Sequence, residues 1–190
     1  MRRGALLLGL LLGLMPLLSA CAPTAREPER LELVRVLGVD GRETVTATGV
    51  CGGADGEEEN DRGTGQGDSL AAALDALVWS GRRELSVTSV TWLVVGPDVD
   101  LKELTLEVLR EVQLGAAVTV WLAPEGAAGV LDACSDPVSA LELLTDRGVQ
   151  APTAAEAAAA LAEGQPVTLP RLAADAECLR AEGETVWSGS

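Results

Sequence analysis

Two β-branched runs, VTSVTWLVVG at residues 87–96 and AVTVWL at 117–122, flank a segment in which Leu101, Leu104, Val108 and Val112 recur with helical spacing. A β-branched run of this length predicts a buried strand, and such a strand must be covered by other elements. The segment between the runs supplies one cover: an amphipathic helix starting at Asp100, with Glu103, Glu107 and Glu111 on the side away from the apolar stripe. An all-helical fold is thereby excluded.

The flanking sequence extends this pattern. LELVRVLGV, residues 31–39, and the run 45–50 are joined through Asp40-Gly41, a dipeptide that favours hairpins, so the domain is expected to open on a β-hairpin. A helix over 69–79 places Leu70, Ala73, Leu74, Leu77 and Val78 on one stripe, with Asp68 or Ser69 as its N-cap. Further helices are expected over 127–134, 137–146 and 153–163, and closing strands over 167–172 and 184–187. The order predicts a mixed α/β (α+β) fold: a small mixed β-sheet with an opening hairpin, packed by several helices in a single domain.

Ahead of that domain stand Arg2 and Arg3, an apolar run from Ala5 to Leu18, the small pair Ser19-Ala20, and Cys21. A charged start, an apolar middle and small residues before a cleavage point describe an export signal. The run is shorter than the roughly 20 residues needed to cross a bilayer as a helix. Leu18-Ser19-Ala20-Cys21 also fits the bacterial lipobox, in which the cysteine thiol is diacylated and the leader is cut before it. Cys21 is therefore the expected lipid-attachment residue, with residues 1–20 as signal peptide, 21–30 as a proline-containing tether and 31–190 as the domain.

Composition narrows function further. Taking Arg2 and Arg3 away with the leader leaves 12 basic against 29 acidic residues, a net charge of −17, which repels nucleic acid and anionic headgroups. No nucleic-acid partner is expected, and membrane contact must come through the lipid. The chain has no His, so the commonest general base and metal ligand is missing, as is every Ser-His or Cys-His pair. Cys51, Cys134 and Cys178 lack the paired spacing of a zinc site and read as small buried apolar residues, although a pair such as Cys51 with Cys178 is compatible with export. No catalytic residue, metal or cofactor is expected.

Three other stretches invite site readings, and each has a plainer one. The acidic run Asp55–Asp61 lacks the ligand spacing of a calcium loop and reads as a solvated loop. Gly63, Gly65 and Gly67 precede a helix, but a dinucleotide fingerprint would need glycine at Asp68 and a P-loop would need Gly-Lys-Ser/Thr, so they read as a flexible approach. Glu103, Glu107 and Glu111 read as a solvated helix face, and Trp79, Trp92, Trp121 and Trp187 as core or pocket lining.

Four stretches, in order, resemble the N-terminal domain of the Ger(x)C family, the lipoprotein C subunits of nutrient germinant receptors in spore-forming bacteria. LELVRVLGVDG, residues 31–41, is similar to the family's opening strand with its Gly-hydrophobic-Asp step. GTGQGDSLAAALDAL, residues 63–77, is similar to its glycine-rich entry into the first helix. Arg83–Gly126 resembles the strand, acidic helix and strand that follow, with Arg110-Glu111 as an arginine-acid step, and residues 167–187 resemble the domain's end.

Cys21 falls where the family carries its lipobox cysteine. The resemblance implies a non-enzymatic lipoprotein on the outer leaflet of the cytoplasmic or spore inner membrane, associated with the multispanning A and B receptor subunits. A surface lipoprotein that binds a small molecule is the alternative reading.

Overall fold

The computed structural model describes residues 31–52, 62–79, 84–110, 112, 114–174 and 179–188. The opening hairpin forms as expected. β1 (Leu31–Asp40) pairs antiparallel with β2 (Val45–Cys51), from Val34 opposite Cys51 to Asp40 opposite Thr46, and Gly41 turns the chain at φ +85°. That backbone region suits glycine, which has no Cβ to clash.

The last strand, expected over 184–187, already begins at Leu179, and two expected elements differ in kind. The glycine stretch before the first helix is a strand, β3 (Arg62–Gly67), antiparallel to β2 with Gly65 opposite Ala47 and Gly67 opposite Val45. Its glycines recur at every second residue, so they share one face of the sheet. α1 (Leu70–Trp79) lies directly on that face: a Cβ on Gly65 would come within 2.1 Å of the Ala73 carbonyl oxygen, and one on Gly67 within 2.6 Å of Ala72 Cβ. The glycines are the clearance for the helix and not a flexible approach.

The expected long strand over 87–96 is broken. β4 (Glu84–Ser86) and β5 (Trp92–Val95) both run parallel to β1, separated by a 3-10 turn over Val87–Ser89. Leu33 pairs with Ser86 and Val36 already with Trp92, so the turn holds the residues for which β1 has no partners.

After β5 come α2 (Leu101–Arg110), β6 (Thr119–Leu122), α3 (Ala127–Asp132), α4 (Pro137–Asp146), α5 (Ala154–Ala162), β7 (Val167–Ala174) and β8 (Leu179–Trp187). Val112 falls in the turn after α2, partly buried against the core. The sheet order is β3-β2-β1-β5-β6-β7-β8, with β4 beside the first half of β1. β1, β5, β6 and β7 are parallel, and both ends are antiparallel. This is the single-domain mixed sheet with helices that the sequence predicts.

The central strands are apolar throughout because both faces are covered. Leu93, Val95, Val120 and Leu122 point into a core with Leu70 and Leu77 of α1, Leu101 and Val108 of α2, and Ala157 and Leu161 of α5. Trp92, Val94, Trp121 and Ala123 point to the other side, where Val130 and Leu131 of α3 and Leu141 and Leu144 of α4 close a second core. On β7, Val167 and Leu169 belong to the first core and Leu172 to the second, so the closing hairpin spans the sheet's border from one layer to the other. Cys51 and Cys134 are buried in opposite cores, so these two are not bonded to each other.

Candidate functional site

In sheets with parallel strands, ligands are most often taken up beyond the carboxyl ends of the strands, where loops replace the ladder. Here that end is built around Asp40, the last residue of β1. Its carboxylate accepts hydrogen bonds from the N–H of Ala127, at 2.7 Å to Oδ1, and of Ala128, at 2.8 Å to Oδ2. Both donors belong to the first turn of α3, whose leading N–H groups have no partner inside the helix. Two glycines make room for the contact. A Cβ on Gly96 would lie 2.1 Å from Asp40 Oδ1, and Gly126, at φ +99°, leads into α3 beside the same carboxylate. Asp40 thus ties the end of β1 to the start of α3, with Gly96 at the end of β5 packed against its carboxylate.

Beside this junction, on the layer of α2 and α5, a cleft of about 650 Å³ opens among the β1–β2 turn, the β5–α2 connection, the end of α5 and the end of β8. Arg42 reaches across to Asp100 at 3.3 Å, and Asp100 also caps α2 by accepting from the N–H groups of Lys102 and Glu103 at 3.1 Å. Lys102, the chain's sole lysine, and Asp98 also line the cleft, and neither has an ion-pair partner among the described residues. Val99, Leu161 and half-buried Trp187 give it an apolar side. The cleft thus offers an ammonium, a carboxylate and an indole, a mixed lining able to hold a small polar molecule with an apolar part.

The residues singled out from sequence are distributed elsewhere. Cys21, the expected lipid-attachment residue, the acidic run Asp55–Asp61, Cys178 and Glu111 lie outside the described residues, as does the Trp79 side chain. Trp92 and Trp121 are core residues. The Arg35 guanidinium stands 5.6 Å from the centre of the Trp92 ring, and the Trp121 indole N–H donates to Thr119 Oγ1 at 3.0 Å. Trp187 alone of the described tryptophan side chains reaches the cleft.

Of the helix α2 glutamates, Glu103 is exposed, but Glu107 is half-buried and accepts from the N–H of Ala71 at 2.9 Å. It closes the start of α1 together with the expected cap Ser69, whose Oγ accepts from Ala72 at 3.2 Å. The solvated-face reading therefore fails for Glu107, because sequence spacing cannot reveal that α1 brings its unpaired N–H groups to that point.

Among the described residues no cluster of His, Cys, Asp and Glu has the arrangement to hold a metal ion, and no helix is long and apolar enough to cross a membrane. Comparison of the chain with family models, with curated proteins and with solved structures gives no match in any of the three.

Proposed function

We propose that this chain is a lipid-anchored, non-enzymatic interaction module that resembles the C subunit of a spore germinant receptor. In this reading it is held on the outer leaflet of the bacterial cytoplasmic membrane or spore inner membrane and assembles with multispanning A and B subunits. The observation that carries the reading is the lipobox, Leu18-Ser19-Ala20-Cys21, ahead of a short tether and a domain that begins at Leu31. Two features support a binding role over a chemical one: a chain without histidine, and an Asp40 carboxylate that holds the start of α3 with both of its oxygens. The four stretches of family resemblance supply the assignment to germination.

The test is co-purification. Tagged full-length chain, extracted in mild detergent from sporulating cells, is expected to bring down multispanning subunits in fixed proportion. Recovery of the chain alone, from membranes in which those subunits are present, would remove the receptor assignment.

The cleft favours a second reading, a surface lipoprotein that captures a small polar solute against Trp187, Lys102 and Asp98. A solute bound there would change the fluorescence of Trp187. A response that persists unchanged in Trp187→Leu would place the ligand elsewhere.

A further inference from the structure

The two outer strands of the sheet, β3 and β8, are finished differently. β8 carries exposed Arg180, Glu182 and Glu184, and Gly183, at φ +73°, lies where its pairing with β7 shifts register. Charges and irregularities of this kind keep an edge from pairing with another chain. β3 has neither device on offer. Its six pairs with β2 run without a register shift, it contains no proline, and its one charged residue, Arg62, is already engaged by Asp132 and by the Cys134 carbonyl. Thr64 and Gln66 are exposed and uncharged. Beyond the β2 pairing, the backbone of residues 62–67 makes no hydrogen bond to the described residues. Alternate N–H and C=O groups along β3 therefore point outward without a partner among the described residues.

We propose that β3 is a docking edge that takes up an extended, basic strand from a partner protein. The inference rests on the reading of the chain as an interaction module and adds where a partner docks and what its chemistry is. In strand addition, main-chain hydrogen bonds supply affinity and alternate side chains supply selectivity. Charge selects the partner here. Asp68 directly follows β3, is exposed and has no cation partner among the described residues. Two copies of a domain this acidic repel each other, whereas lysines or arginines on an incoming strand meet the domain's negative field and the Asp68 carboxylate at the strand's end.

The full chain in detergent is to be followed by amide hydrogen exchange with a short synthetic peptide alternating Lys with Thr and Val, beside a twin carrying Glu for Lys. The expected result is slowed exchange at alternate amides of residues 62–67 with the Lys peptide and none with the Glu peptide. T64K/Q66K places like charges opposite the lysines and is expected to weaken binding roughly tenfold. T64E/Q66E should bind at least as well as the unmodified chain. Both positions are exposed, and an unchanged near-ultraviolet tryptophan spectrum checks that each variant is folded.

Protection on β8 instead, equal binding of the two peptides, no binding, or self-association through β3 would overturn the proposal. Membrane subunits that co-purify equally with T64K/Q66K would refute the edge and leave the assembly role standing. Failure of the unmodified chain to recover any subunit would refute that role without altering the peptide result.

Discussion

At the scale of single residues, Asp40 links elements that lie far apart in the sequence. It accepts two N–H bonds from the start of α3 across 87 and 88 positions of sequence, so one carboxylate ties the first strand to a helix that follows the sheet's third parallel strand. Asp40→Ala leaves both N–H groups without that partner and is expected to cost about 2–3 kcal/mol in urea unfolding. Asp40→Asn retains one acceptor and should cost less. A different residue contributes to the acid response. Glu156 is held below the ordinary glutamate range first by the Thr153 backbone N–H and then by the Thr153 hydroxyl, in the capping box that starts α5. A lowered folded pKa means its stabilising contribution is complete above the unfolded value of 4.5 and is lost as the pH falls through the lower folded value. Glu156→Gln should therefore show a smaller fall in melting temperature than the parent over that acid window. An identical fall would show that the capping box does not set it.

At the scale of elements, β3 and α1 form a unit defined by clearance. Gly65→Ala would press a methyl group against the helix backbone at Ala73 and Leu77, atoms that cannot rotate away, and should cost roughly 3 kcal/mol by displacing α1. Gly129, inside α3, has nothing within 4 Å of an added Cβ and an ordinary helical φ. Gly129→Ala is expected to stabilise by about 0.5–1 kcal/mol through helix propensity. Thermal unfolding of the pair separates a glycine kept for space from one that is not. The alternation of Gly63, Gly65 and Gly67 was the available sign of a strand, but glycine has low strand propensity and nothing nearby in sequence indicates that a helix will supply the missing bulk. Glu107 was illegible for the same reason, since its partner Ala71 lies 36 residues away.

At the scale of the whole molecule, the proposed anchor is tested against charge. A domain of net −17 has no electrostatic attraction to an anionic bilayer, so in the proposed reading membrane retention depends on acyl chains at Cys21, where two chains suffice and one is marginal. Cys21→Ser is expected to move the protein from the membrane to the soluble fraction. Continued sedimentation with membranes, after a high-salt wash, would refute the lipid anchor.

Apart from β3 and the break between β4 and β5, the elements were legible in the sequence because their signals are local. β-branched runs mark β5 and β6, the leucine stripe marks α2, Pro137 and Thr153 announce α4 and α5, and Asp40-Gly41 marks the opening turn. Tertiary structure alone decided the strand order, the break between β4 and β5, the role of Asp40, the clearance at Gly65 and the gathering of Arg42, Asp98, Lys102 and Trp187 around one cleft. Propensity and periodicity act over a few residues, whereas these features arise from contacts between segments tens of residues apart, whose geometry exists only once both cores have closed on the sheet.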